Sequence, residues 1–219
     1  MIISNKNKFI FVHVPKNAGQ SITNALLPYS LSNSQNVTSS LLGIKNYIKI
    51  NTKLKKHFNF NLYSHNFSDH ASANIIKASI GASYDDYFKF AFVRNPWSWI
   101  YSNYTYAIKN NRHHRYQFIK KSGFSFSDYV EWLCLDKKKR TLQREFIYDK
   151  NTLLVDFVGR FENLKEDFQY VCEKLSINES LSHQNQSANS SYREHYSNET
   201  RLLIEKYYRL DIETFEYEF

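Results

Sequence analysis

The sequence predicts a single α/β domain, residues 1–219, in which a central parallel β-sheet is flanked by helices. Three observations carry that expectation. Apolar, β-branched and aromatic runs at residues 8–14, 88–94 and 153–158 read as buried strands. Each leads through a short turn into a segment with helical spacing of its apolar residues. The 219 residues, 42% of them hydrophobic, suffice for one core, and a charged fraction of 23% with only five Gly and three Pro excludes disordered, collagenous and low-complexity classes.

Element by element, Pro15 stops the first strand because it has no N–H to give. A turn around Gly19 then opens a helix through Ile22, Ala25 and Leu26, bounded by Pro28. Residues 31–60, rich in Ser and Asn and then in Lys, read as a variable excursion with a short helix near 41–50. Ala71, Ile75, Ile76 and Ile80 form a helical stripe that Gly81 closes, with His70 at its mouth. After the second strand, Asn95 is an N-cap and Pro96 a first-turn proline. Trp97, Ile100, Tyr101, Tyr104 and Ile108 face the core, and Ser98, Ser102 and Thr105 the opposite side. Ser127 is expected to cap a helix carrying Tyr129, Val130, Leu133 and Cys134, followed by a basic helix to about Tyr148. The third strand runs into Gly159, and Asn163 with Glu166 reads as a capping box for a helix through Leu164, Phe168, Val171 and Leu175. Beyond a polar loop at 176–191, Leu203, Tyr207 and Leu210 mark the last helix.

The formal net charge of +8 attracts anions, which fits nucleic acid, a phosphorylated nucleotide or an acidic glycan equally well. Cys134 and Cys172 stand far apart without a CxxC pair or ligand-spaced histidines, so neither a disulfide framework nor a metal site is expected. No apolar run has the length of a membrane span, and the first strand follows Met1 too closely for a signal peptide. A reducing cytoplasmic location is the expectation.

Chemistry is most legible in HVPKNAGQS, 13–21, where a tight strand-to-helix turn aims backbone N–H groups and Lys16 at one small volume suited to an oxyanion. The lysine precedes the glycine and the leading glycine is absent, so this is not the nucleotide P-loop G-x-x-x-x-G-K-[ST]. A second element, FAFVRNPWSWIYSNY, brings Arg94 out at the carboxyl end of a strand, the edge at which open α/β sheets bind ligands, with Ser102 on the following helix.

Taken together, PKNAGQS, VRNPW with a serine eight residues beyond the arginine, GRFENLKEDF, and the ending SYREHYSNETRLLIEKYYRLDIETFEYEF resemble the carbohydrate sulfotransferases of the heparan and chondroitin type and their soluble bacterial relatives. The resemblance covers most of the chain. It implies a P-loop-nucleotide-hydrolase-like sulfotransferase fold, and transfer of a sulfuryl group from 3′-phosphoadenosine 5′-phosphosulfate (PAPS) to a hydroxyl of a carbohydrate or glycolipid acceptor, without a metal.

Carried over by motif position, the resemblance implies that Lys16, Asn17, Ala18, Gly19, Gln20 and Ser21 hold the 5′-phosphosulfate, with Lys16 stabilising the leaving group. Arg94 and Ser102, with Arg193, would hold the 3′-phosphate. The base would be His70, with His65 second, and His13 is expected in the core. Arg112, His113, His114 and Arg115 form a basic loop that an anionic acceptor could meet, or a merely solvated one. Glu162 and Asn163 are expected to position a turn, Phe161 and Trp97 to pack, and Trp99 to pack or to stack on a ligand. Asn17 and Gln20 stand where the family commonly has threonine, and Trp99 where it often has a basic residue. Two other functions compete: a kinase-like phosphoryl transferase, which would need the Walker lysine this chain lacks, and a basic nucleic-acid-binding protein.

Overall fold

The computed structural model describes residues 1–31, 50, 67–181 and 192–219. The candidate base His65 and nearly all of the expected excursion at 31–60 thus lie outside the described residues, as do residues 182–191 of the polar loop expected at 176–191. In chain order the elements are β1 (Ile2–Ser4), β2 (Phe9–Val12), α1 (Gly19–Ser30), α2 (Ala73–Ile80), β3 (Phe88–Val93), α3 (Pro96–Lys109) and α4 (Tyr116–Lys121). Then come α5 (Phe126–Leu135), β4 (Tyr148–Asp149), β5 (Thr152–Leu153), β6 (Phe157–Arg160), α6 (Leu164–Leu175), α7 (Asn198–Tyr207) and α8 (Arg209–Phe215). They divide between two compact units, Met1–Phe92 with Phe146–Gln184, and Val93–Glu145 with Asn185–Phe219.

The first unit is the α/β part. Its four-stranded sheet has the order β1-β2-β3-β6. β2 and β3 run parallel, with Phe9 opposite Phe88 and Phe11 opposite Phe90. β1 is antiparallel to β2, so the sheet is mixed rather than all parallel. Four residues join these strands, enough for a turn and far too few for the crossover that parallel pairing needs. Alternate side chains give each strand two faces. On one, Phe9, Phe11, Phe90 and Phe92 pack with Ile22 and Leu26 of α1 and Phe168, Val171 and Cys172 of α6. Each such ring stabilises by roughly 1.5–3 kcal/mol relative to exposure. On the other, Lys89 is buried, paired with Asp156 at 3.0 Å and 5.4 Å from the centre of the Tyr84 ring.

Asp156 also splits the expected third strand. Its backbone N–H donates to Lys89 O and its carboxylate accepts from Lys89 N, so β6 starts at Phe157, while β5 pairs with β4 in a separate hairpin. Gly159 lets β6 lie against Phe92, whose ring would stand 2.5 Å from a Cβ there. α1 runs through Pro28 to Ser30 instead of stopping, because a proline removes a single N–H and buried Leu26 and Leu27 hold the last turn in place. Asn163 precedes α6 without a side-chain cap; Asp167 instead accepts from the backbone of Arg160. Gly81 closes α2 with φ 60° as expected, whereas Ile75 is exposed.

The second unit is helical around Trp97, Trp99, Ile100, Tyr104, Tyr129, Leu133, Ile204 and Tyr208. Trp99 is core, edge-on to Tyr208, which removes it as a ligand platform. Ser125, not Ser127, caps α5 by accepting from Asp128 N. Residues 136–142 are not helical, and α4 follows directly on the basic residues 112–115. The final helix is two, α7 and α8, broken at Tyr208, and Leu210 is exposed while Tyr208, Asp211 and Phe215 are buried. Among the described residues no helix is long and apolar enough to cross a membrane.

Candidate active site

In the first unit the chemistry lies in the turn between β2 and α1. Lys16 has φ 66° and Ala18 φ 57°, both left-handed, although neither is glycine. Such conformations cost about 1–3 kcal/mol each and persist only where the surroundings impose them. A left-handed residue leading into a right-handed helix turns successive N–H groups inward as an anion nest. The N-cap of α1 is Ala18, and no side chain caps this end; by contrast, the Asn95 carboxamide at the head of α3 accepts from Trp97 N and Ser98 N at 3.1 and 3.4 Å.

Two contacts hold the turn. Asn17 is buried and its Nδ2 donates to Phe92 O at 2.8 Å, tying the turn to the end of β3. Through Nδ2 its side chain thus braces the turn. Gly19 lies against the His13 ring, and a Cβ on residue 19 would come within 1.8 Å of His13 Nε2. Close approach, not a positive φ, requires this glycine. Gln20 is exposed and Ser21 half-buried.

His13 stacks on Phe11 at 5.7 Å, and its burial lowers its pKa to about 2, which keeps the imidazole neutral. The His70 ring lies 4.4 Å from that of His13, and His70 Nδ1 is 3.2 Å from His13 O. A carbonyl oxygen can only accept, so Nδ1 carries the hydrogen and Nε2 of the neutral ring holds a lone pair. Desolvation lowers the His70 pKa; the bond to the His13 carbonyl opposes it. The expected nest and the expected base thus meet through His13, a residue that sequence reasoning treated only as core.

In the second unit Arg94 follows β3 and is buried to 9% exposure. Its Nε donates to Ser98 Oγ at 2.8 Å, one turn before Ser102 on α3, so Ser98 rather than Ser102 is its hydrogen-bonded serine. The Arg94 backbone is bracketed by one side chain: Arg94 N donates to Gln143 Oε1 at 2.9 Å, and Gln143 Nε2 donates to Arg94 O at 2.7 Å. Asp211 in turn accepts from Gln143 N at 2.7 Å and Arg144 N at 3.0 Å. Burial raises the Asp211 pKa to about 7, and these two N–H bonds oppose the rise. The separations are 49 residues from Arg94 to Gln143 and 68 from Gln143 to Asp211, so no local motif could have announced them. Arg193 is exposed in a short turn, its guanidinium 4.9 Å from the Tyr192 ring centre and 5.7 Å from that of Phe219. In the basic loop, Arg115 is engaged with the Tyr129 hydroxyl at 2.6 Å and with Lys139 O.

Comparison with known proteins gives the chemistry a class. A protein of Archaeoglobus fulgidus, itself uncharacterized, is 31% identical over 111 residues, which span 50% of this chain and 86% of the relative. No solved structure matches the chain. A family model described as the sulfotransferase family matches residues 1–218, and with the strained lysine turn and the buried arginine beyond β3 already in view, the chain belongs to the sulfotransferase family.

Proposed function

We propose that this sulfotransferase takes its sulfuryl group from PAPS and passes it to a hydroxyl of a carbohydrate or glycolipid acceptor. The observation that carries the reading is the uncapped, strained turn at Lys16 and Ala18, which offers the head of α1 and one cation to an oxyanion. The donor supplies an electrophilic sulfur whose bond to the 5′-phosphate oxygen breaks as the acceptor oxygen bonds to it. Lys16 and the amides of residues 17–21 hold the 5′ end, and the Lys16 ammonium meets the negative charge gathering on the departing phosphate oxygen. His70 Nε2 accepts the acceptor's hydroxyl proton, and the His13 carbonyl holds the ring in the tautomer that can do so. A lowered pKa keeps His70 unprotonated at neutral pH. Arg94, steadied by Ser98, takes the 3′-phosphate, for which a planar fork suits better than a point charge. Ser102 and Arg193 are supporting ligands of the same phosphate, and the positive charge of Lys16 and Arg94 makes a metal unnecessary.

The test is transfer of labelled sulfuryl groups from PAPS into a panel of glycans and glycolipids, with and without a chelator. Lys16→Ala should lower kcat by about a hundredfold or more, as removing one preorganised donor does. His70→Ala should lower it by about 10²–10⁴ and abolish the fall in rate on acidification below the His70 pKa. Chelator should change nothing. Unchanged turnover in both variants would overturn the mechanism, and failure of PAPS to donate would overturn the reading.

A further inference from the structure

We propose that Gln143 and Asp211 are positioning residues for Arg94, setting the nucleotide's 3′-phosphate preference from outside the phosphate's reach. The inference rests on Arg94 as the 3′-phosphate ligand. Arg94 lies just past the end of β3, where strand pairing no longer disciplines the backbone, and immediately before the Asn95–Pro96 helix start. Its N–H and C=O are both taken by the one carboxamide of Gln143, at 2.9 and 2.7 Å, which fixes the peptide planes on either side of the Arg94 Cα and hence the direction in which the side chain leaves. A carboxamide carries a donor and an acceptor side by side, as this paired geometry requires.

Gln143 is fully buried and sits in a single short turn, Gln143–Phe146, which has no length to stabilise itself. Asp211, on α8 and also fully buried, supplies that stability by accepting from two successive amides, one on each carboxylate oxygen. The chain of contacts runs from α8 through the turn to the arginine backbone, and Ser98 Oγ then fixes the guanidinium at Nε. A leucine would fill the volume of Gln143 but would take these two partners from the Arg94 N–H and C=O, so the carboxamide serves the arginine backbone and not volume alone.

The experiment measures Kd for adenosine 3′,5′-bisphosphate and for adenosine 5′-monophosphate by titration calorimetry and takes their ratio. Arg94→Ala should collapse the preference for the bisphosphate. Gln143→Met, which keeps length and removes both bonds, should lower the ratio by about tenfold. Arg94→Ala with Gln143→Met should be no worse than Arg94→Ala alone, because both act through one contact. Asp211→Asn keeps one acceptor oxygen and should lower the ratio by about threefold. A residue that only stabilises the fold would weaken both nucleotides alike and leave the ratio where it is. If Arg94→Ala lowers the ratio while folded Gln143→Met and Asp211→Asn do not, positioning is refuted and the phosphate role of Arg94 survives. If Arg94→Ala leaves the ratio unchanged, both fall. Should neither Gln143→Met nor Asp211→Asn fold, the two residues are scaffold and the proposal is refuted.

Discussion

At Gly19 one missing methyl group decides whether the turn can exist. The His13 ring occupies the space a Cβ would need, so Gly19→Ala must displace either that ring or the start of α1. Because His13 also gives His70 its backbone acceptor, displacement reaches the proposed base as well as the nest. Gly19→Ala is expected to cost about 1–3 kcal/mol, as overpacking of a close contact does, and to lower transfer more than its stability loss explains. Urea unfolding set beside kcat measured well below the melting temperature checks this. The glycine and the lysine were legible from residue type and order alone. The reason for the glycine was not, since the sequence points to a turn and the structure to a neighbouring imidazole. Asn17 carries the same lesson: nothing in HVPKNAGQS announces that its Nδ2 donates to Phe92 O, 75 residues away.

Helix starts differ in how firmly the sequence marks them, and the difference is chemical. Asn95–Pro96 combines two independent signals, a capping carboxamide and a fixed φ, and the structure has both at the head of α3. Asn95→Ala is expected to destabilise the protein by about 1 kcal/mol, read as a lowered urea midpoint. It should also reduce nucleotide affinity, because Arg94 is the next residue back. Ser127 offered one signal and Asn163 with Glu166 a capping box, yet Ser125, two residues earlier, caps α5, and Asp167 reaches back to Arg160 N while Asn163 caps nothing with its side chain. The run 153–158 has strand composition throughout, yet Asp156 turns its carboxylate onto Lys89 and delays β6. Periodicity cannot register a side chain that competes with the ladder for backbone partners.

Across the whole molecule, two buried groups pull the pH dependence of stability in opposite directions. His13 falls from 6.5 to about 2 on folding, so the unfolded chain binds its proton first and the stability it contributes, complete above pH 6.5, is lost as pH falls toward 2. Asp211 rises from 3.8 to about 7, so its contribution is complete below pH 3.8 and is lost as pH climbs through 7. Between about pH 4 and 6.5 the two slopes oppose. His13→Asn is expected to leave stability that declines as pH rises through this window, and Asp211→Asn stability that rises with it. Urea midpoints at half-unit pH intervals for both variants check the signs, and parallel profiles would refute the assignment.

Membership in the sulfotransferase family decides between the sulfuryl-transfer reading and the kinase-like or nucleic-acid-binding ones that charge alone left open. By itself the sequence determined the α/β class, the lysine turn after one strand and the arginine after another, because each is written in a contiguous stretch where local sterics and capping act. Only the tertiary structure decided that His13 joins Gly19 to His70, that Ser98 holds Arg94, and that Gln143 and Asp211 stand behind it. Those contacts, apart from Arg94 with Ser98 and His13 with Gly19, join residues distant along the chain. Buried polar groups must find partners wherever packing brings them, and packing leaves no periodic trace in the order of residues.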